Sequence, residues 1–205
     1  MTDIAILTGD IINSRQDVSS RWIGIVKPFF DKFGESPADW EIYRGDEFQL
    51  RVPHTRALHA GIQLKALVKQ LKNQDVRLAI GLGEERVRSQ RIGESNGSAY
   101  QRSGETFETL KQRHYRMRIA SGDASLDRTL NLMLALALDF MDHWSPVSAE
   151  VMALVMDRPE ASQNDLAKLL NIRQSAISQR LKRARNDLVF ELLEYYSQTC
   201  KSIVR

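Results

Sequence analysis

The sequence contains one cysteine, Cys200, and therefore cannot close a disulfide within the chain. Its histidines show no spacing with cysteines or acids that would build a zinc site. No basic segment followed by an apolar run opens the chain. The most apolar stretch, residues 130–141, is shorter than the roughly 18 residues that a membrane span requires. We therefore expect a cytoplasmic protein without a membrane partner.

Net charge is also low. The formal value is +3, which gives only weak support for an acidic partner. The distribution of charge is more informative, because residues 171–185 contain several arginines and lysines and no acid. The hydrophobic fraction of 42% is enough to form a core, and 205 residues suit one large domain or two small ones. We favour two domains.

The first 122 residues alternate between strand and helix patterns. A buried strand ends at Gly9–Asp10, residues 41–50 predict a hairpin with its turn at Gly45–Asp46, and residues 115–121 alternate like an edge strand. The order is strand, helix, two strands, helix, strand, helix, strand. This order predicts an α+β fold over residues 1–122: a ferredoxin-like antiparallel sheet with its helices on one face.

The rest of the chain is helical in pattern. Residues 123–146 predict a linking helix that breaks at Ser145–Pro146. Further helical patterns cover residues 147–156, 163–170 and 174 to about 204. We therefore predict an all-α domain over residues 147–205.

Within that domain, residues 162–185 have the layout of a helix-turn-helix. The inner faces of two short helices are apolar, at Leu166, Ala167, Leu170, Ile172, Ile177 and Leu181. Asn171 occupies the bend, where asparagine tolerates a left-handed backbone. The stretch resembles the helix-turn-helix of bacterial regulators, in which the second helix enters the major groove of DNA.

The face of the second helix that the apolar residues leave free is polar and basic. We predict that DNA is bound by Arg173, Gln174, Ser175, Ser178, Gln179, Arg180, Lys182, Arg183 and Arg185. The alternative is a helical hairpin whose charged face is only solvated. The segment that follows carries Leu188, Leu192, Leu193, Tyr195 and Tyr196. It either joins two chains in a homodimer or packs against residues 130–141.

Two acids in the first half form a candidate metal site. Asp10 ends the first strand and Asp46 lies at the hairpin bend, and a ferredoxin-like sheet places such a hairpin beside strand one. Two carboxylates with phosphate and water oxygens are an adequate shell for Mg²⁺. Both acids also suit ordinary turns, so a purely structural role stays open. Arg15, Arg44, Gly45, Gly93 and Arg102 are weaker candidates for contacts with a nucleotide.

Several motifs resemble known families. "RGDEF", residues 44–48, resembles the hairpin signature of GGDEF domains and of class III nucleotide cyclases, and this resemblance implies metal binding by Asp10 and Asp46. The helix beginning at "GSAYQRSGE" is similar to the cyclase helix that carries an Asn and an Arg for the transition state. Here Gln101 and Glu105 take those positions, and a carboxylate cannot neutralise charge developing on a phosphoryl group.

Together with "TGDIINSR" and "RLAIGLG", these motifs and the helix-turn-helix resemble the SatD family across nearly the whole chain. The resemblance implies a cyclase-like domain joined to a DNA-binding domain. We expect a transcriptional regulator that senses a nucleotide or a divalent ion such as Mg²⁺ and lacks full catalytic residues. The alternatives are an active nucleotide cyclase or nucleotidyl transferase, and a plain interaction protein.

Overall fold

The computed structural model describes residues 3–14 and 21–203, with side chains at residues 4–14 and 21–201. The described strands are β1 Asp3–Ile12, β2 Trp40–Tyr43, β3 Glu47–Pro53, β4 Asp75–Glu84 and β5 Met117–Ala120. The described α-helices are α1 Arg21–Phe30, α2 Ala57–Val68, α3 Ser98–Arg113, α4 Ala124–Met141, α5 Pro146–Asp157, α6 Gln163–Leu170, α7 Gln174–Ala184 and α8 Asn186–Ile203. Short 3₁₀ turns lie at His54–Arg56 and Ile92–Glu94.

The strands form one five-stranded sheet in the order β2-β3-β1-β4-β5. Three of the pairings are antiparallel, whereas β4 and β5 run parallel. The expected all-antiparallel sheet is therefore wrong at this edge, because α3 connects β4 to β5 and a crossover helix returns the chain in the same direction. The prediction of an edge strand is confirmed, since β5 is the outermost strand.

Helices cover both faces of the sheet, and the expectation of one covered face is wrong. On one face, Leu7, Leu50 and Leu78 join the large apolar cluster that includes α1 and α2. On the other face, α3 packs so closely on β4 that a Cβ at Gly81 would lie 2.2 Å from the carbonyl oxygen of Ala99. Placing α3 on the second face is the consequence of the β4-α3-β5 crossover.

The hairpin turn differs from the predicted pair Gly45–Asp46. Tyr43 pairs with Glu47, so the loop comprises the three residues between them. Arg44 and Gly45 have positive φ values of 53° and 93°. Glycine adopts this conformation without cost, whereas Arg44 does so against the preference of an L-residue. Asp46 leads back into β3.

The C-terminal helices begin and end near the predicted positions, with one exception. Asp123 caps α4 and Ser145 caps α5, each through its side chain, so the predicted break at Ser145–Pro146 is confirmed. The single helical pattern predicted from residue 174 to about 204 is wrong. Arg185 adopts a left-handed conformation with φ 54° and separates α7 from α8.

One apolar cluster extends from the sheet through the helices to the end of α8. Helix α5 packs on α2, and the Tyr196 hydroxyl donates a hydrogen bond to the carbonyl oxygen of His54 at 2.8 Å. The predicted division at residues 122 and 146 therefore does not coincide with a break in the core. No helix within the described parts of the chain is long and apolar enough to cross a membrane.

Candidate functional site

Asp10 lies near the end of β1, in the middle strand of the sheet. It pairs with Glu47 on β3 and with Arg77 on β4, so all three side chains share the face that α3 covers. The Arg77 Nε atom lies 3.7 Å from Asp10 Oδ1. Both atoms are buried, and within the described part of the chain neither has a hydrogen-bond partner. This carboxylate oxygen therefore has unused capacity to accept a hydrogen bond or to bind a cation.

The surroundings of Asp10 favour its neutral form. Burial is the main cause that raises the pKa of the Asp10 carboxyl, and the negative charges of Asp46 and Glu47 raise it further. Arg77 and Lys111 lower it, but by less than the opposing causes together. Strands β1 and β3 thus concentrate negative charge here, and a proton or a metal cation would relieve it.

Asp46 lies at the same end of the sheet as Asp10. Its carboxylate accepts a hydrogen bond from the Ser14 hydroxyl at 2.6 Å, and its carbonyl oxygen accepts one from the Ile11 amide at 3.2 Å. The hairpin bend is thereby fastened to the end of β1. The structure brings the two predicted aspartates into one region, with one oxygen of each carboxylate uncommitted to a described hydrogen bond.

Glu47 and Lys111 are functional candidates that sequence reasoning missed. Glu47 lies directly beside Asp10, its partner in the register between β1 and β3. Its carboxylate accepts a hydrogen bond from Lys111 Nζ at 2.8 Å. Lys111 comes from the last turn of α3, so only the packing of α3 on the sheet could have identified this contact.

The residues fit a divalent cation only in part. No group of three or more His, Cys, Asp or Glu residues stands together as a metal site within the described residues. Asp10 and Asp46 provide hard oxygen ligands of the type that Mg²⁺ prefers, while Glu47 is neutralised by Lys111. An ion held here would need phosphate or water oxygens for its remaining positions.

The predicted nucleotide contacts fall at two ends of the sheet. Arg44 and Gly45 form the hairpin bend close to Asp46. Gly93 lies in a 3₁₀ turn elsewhere. The Ile92 amide of that turn donates a hydrogen bond to the carbonyl oxygen of Pro37, which precedes β2. Arg102 donates to the Leu82 carbonyl oxygen at 2.6 Å. Leu82 lies five residues beyond the Asp10 partner on β4, a distance of about 16 Å at the usual strand rise. Gly93 and Arg102 are therefore not brought together with the aspartates.

Two further residues from the cyclase comparison contribute nothing to this geometry. Gln101 and Glu105 are exposed on α3, away from the side that packs on the sheet through Ser103 and Phe107. Arg15 lies outside the described residues.

The segment predicted as a helix-turn-helix consists of α6 and α7 joined by a bend at Asn171. Ser162 and Asp165 form a reciprocal capping box at the start of α6. Asn171 has φ 51° and ψ 45°, so the predicted left-handed bend is confirmed. The Ile172 amide donates to the Ala167 carbonyl oxygen at 3.0 Å, which closes the end of α6. The two helices are therefore held at a fixed angle by backbone hydrogen bonds and by buried Ile177 and Leu181.

Most of the predicted DNA-binding residues lie on one exposed face. The exposed members are Arg173, Gln174, Ser175, Ser178, Gln179, Lys182, Arg183 and Arg185. Arg180 is half-buried and donates to Glu150 of α5 at 3.1 Å, while the Arg185 guanidinium lies 5.8 Å from the centre of the Phe140 ring. Their charges are partly engaged within the chain.

Helix α8 packs within the chain, and it also leaves apolar side chains exposed. Leu192, Leu193 and Tyr196 are buried against the rest of the chain. Leu188 and Tyr195 are 47% and 42% exposed, and they border a groove of about 660 Å³ between α8 and α4. On the α4 side, Leu136 is 67% exposed. The groove between α8 and α4 is thus lined mainly by apolar side chains, several of which are open to solvent.

The comparisons with known proteins give one result. No curated protein matches the chain. The family model described as the SatD family matches residues 3–191, which is most of the chain. The chain belongs to the SatD family.

Proposed function

We propose that the protein is a cytoplasmic DNA-binding transcriptional regulator. The observation that carries this proposal is the pair α6 and α7, joined by a left-handed Asn171, with a polar and basic face open to solvent. A helix-turn-helix requires a second helix that projects its N-terminal side chains outward, and α7 meets that requirement. Residues 147–205 act as its DNA-binding domain.

The exposed residues of α7 divide by position. Ser175, Ser178 and Gln179 belong to its first two turns and are placed to contact base edges. Lys182 and Arg183, near the other end, are placed to contact phosphates. Arg180 contributes less, because its ion pair with Glu150 holds α7 against α5.

The protein acts as a homodimer through the groove between α4 and α8. A second copy suits this groove because of its charges: Arg185 and Glu191 both line it, and each is three residues from Leu188. A two-fold axis through Leu188 that pairs α8 with its copy places Arg185 of one chain opposite Glu191 of the other. Such a dimer presents two α7 helices to a DNA site with internal symmetry.

The first 122 residues act as the sensor. The strand order β2-β3-β1-β4 with antiparallel neighbours supports a ferredoxin-like sheet, the arrangement that the cyclase resemblance implies. Its ligand is Mg²⁺ with a nucleotide at Asp10 and Asp46. The ligand changes DNA binding only if it has different affinities for the free and DNA-bound arrangements of the dimer.

The test is fluorescence anisotropy of the full-length protein on its own upstream DNA at two salt concentrations. Replacing Lys182 and Arg183 by alanine removes two phosphate contacts, so the slope of log affinity against log salt falls by about 1.8. Ser178→Ala weakens specific binding and leaves binding to unrelated DNA unchanged. The matched control is Lys27→Ala, an exposed lysine on α1. Unchanged affinity and slope in the Lys182 and Arg183 double variant would refute the assignment of α7.

A second candidate function is a metal-dependent nucleotide cyclase or nucleotidyl transferase. It is favoured by the meeting of Asp10 and Asp46 at one end of the sheet, and disfavoured by Glu105, which lies where the cyclase pattern has a cation. Incubation with ATP or GTP and Mg²⁺ or Mn²⁺, followed by chromatography, distinguishes the two functions. A product that disappears in Asp46→Ala would establish the enzyme.

A further inference from the structure

A separate cavity lies where β1 ends and β4 begins. Its volume is about 360 Å³, within the range of roughly 300–1,000 Å³ that is usual for small-molecule sites. Its apolar lining, called here the apolar wall, consists of Ile12, Leu71, Trp144 and Pro146. The cavity thus joins the end of the sheet to the segment between α4 and α5.

We infer that this cavity binds a nucleoside monophosphate, with Lys72 and Arg116 on the phosphate and Gln74 on a donor group of the base. The apolar wall accepts the flat face of the base. The site is distinct from the Asp10 and Asp46 region, since neither aspartate lines it.

The charges around the cavity leave two cations uncommitted. Its acids, Asp75 and Asp142, are both occupied: Lys65 Nζ lies 2.8 Å from an oxygen of Asp75 and 2.6 Å from an oxygen of Asp142. Lys69 also donates to Asp75, at 3.2 Å.

Lys72 and Arg116 also line the cavity, and neither has an ion pair with any residue in the described ranges. Because the two lysines of α2 and its following turn offset the two acids, Lys72 and Arg116 give the cavity a net positive charge. A phosphate monoester is the complementary ligand, since it accepts charge-assisted hydrogen bonds from both.

Gln74 supplies the second observation. Its side chain is only 4% exposed and it lines the cavity. Its Oε1 atom is buried and has no hydrogen-bond partner among the described residues. A buried acceptor without a donor costs free energy, which an N–H group of a ligand would offset once the Gln74 amide turns toward the cavity. The exocyclic amino group of a nucleobase is such a donor. Inorganic phosphate has no apolar part that could pack against the apolar wall.

Trp144, which lines the cavity, also contacts the end of the proposed recognition helix. The Trp144 indole nitrogen donates a hydrogen bond at 3.0 Å to the carbonyl oxygen of Ala184, the last residue of α7. A ligand that packs on Trp144 therefore shifts the position of this end of α7 if it binds one position more tightly than the other. This regulatory link rests on the DNA-binding function proposed above, whereas the binding site itself does not.

The test is isothermal titration of the full-length protein, without metal, with each of the four common nucleoside monophosphates and with inorganic phosphate. At least one nucleotide should bind, and Lys72→Ala and Arg116→Ala should each weaken it about tenfold or more, as for the loss of a charge-assisted hydrogen bond. Gln74→Leu should weaken nucleotide binding and leave phosphate binding unchanged. Lys27→Ala is the control for lost surface charge. Thermal melts establish that each variant is folded.

The following outcomes overturn the inference. The first is that no nucleotide gives any heat. The second is that both Lys72→Ala and Arg116→Ala bind with full affinity. The third is that only Asp10→Asn loses affinity, which would place the ligand at the other site. Equal affinity for phosphate and nucleotides would overturn the assignment of the base.

A separate DNA-binding titration compares wild type with Trp144→Phe, which keeps the aromatic wall and removes the donor to Ala184. Nucleotide should shift the DNA affinity of wild type and not of the variant. An equal shift in both proteins would overturn the link through Trp144. If wild type does not bind DNA at all, the DNA-binding proposal fails, and the titration with nucleotides still decides the binding site.

Discussion

Lys65 provides a sharp test of how the two halves of the chain are held together. Its side chain is fully buried in α2, yet it is charged. Its Nζ atom donates to both oxygens of Asp75, at 2.8 Å and 3.0 Å, and lies 2.6 Å from an oxygen of Asp142 in an ion pair that lacks hydrogen-bond geometry. This one ammonium group therefore links α2, the start of β4 and the end of α4.

Removal of Lys65 should be strongly destabilising. Lys65→Met keeps most of the volume but leaves Asp75, only 13% exposed, with one remaining cation, Lys69. Breaking one partner of a buried pair costs about 3–5 kcal/mol. For a chain of this size each kcal/mol lowers the melting temperature by about 2–4 °C, so the expected fall is about 6–20 °C. Calorimetry and urea unfolding measure it.

The matched control is Lys72→Met, three positions past Lys69 in the same segment, which is exposed and should change stability by less than about 0.5 kcal/mol. A triple variant, Lys65→Met with Asp75→Asn and Asp142→Asn, removes the uncompensated charges and should regain much of the loss. If Lys65→Met costs less than about 1 kcal/mol, the reasoning from buried charge is refuted. If the triple variant regains nothing, the loss arises from packing of the lysine stem.

Three other variants test the remaining features. Asp10→Asn should raise the free energy of unfolding at pH 7 by about 1 kcal/mol, because it removes a negative charge that burial and the neighbouring Asp46 and Glu47 disfavour by more than Arg77 stabilises it. Since the pKa of Asp10 is raised above 3.8 by burial, its carboxyl contributes most stability at low pH, and this contribution is lost as pH rises through the folded-state pKa. Urea unfolding of both proteins from pH 3 to pH 7 should therefore diverge with rising pH, and parallel curves would contradict the assignment. Arg44→Gly should stabilise the hairpin by up to about 1 kcal/mol, since φ 53° suits glycine, and a melting temperature below that of wild type would refute this. Leu188→Glu should convert a dimer into a monomer, as measured by light scattering. Leu169→Glu, at another exposed leucine, is the control. An unchanged mass in Leu188→Glu would exclude the groove between α4 and α8 as the dimer contact.

Local signals in the sequence predicted the elements well. The bend at Asn171 and the break at Ser145–Pro146 follow from residues that carry their own conformational preference, and the edge strand β5 follows from the alternation of residues 115–121. The left-handed Arg185 had no such signal, because arginine does not favour that conformation. The sequence therefore predicted one continuous helix where the structure has the separate helices α7 and α8.

The candidate site was predictable only in part. Asp10 and Asp46 were found because each follows a strand pattern at a turn. Glu47 was missed because its place beside Asp10 depends on the register between β1 and β3. Arg77 and Lys111 come from elements far away in sequence, and their contacts depend on strand register and on the packing of α3.

The uninterrupted core that runs from β1 to Tyr196 has a practical consequence for cutting the chain in two. Expression of residues 147–205 alone would leave the side of α5 that covers α2 in contact with water. That fragment should aggregate or melt at far lower temperature than the whole. Heating of the intact chain should accordingly give one cooperative transition, as for a single folding unit.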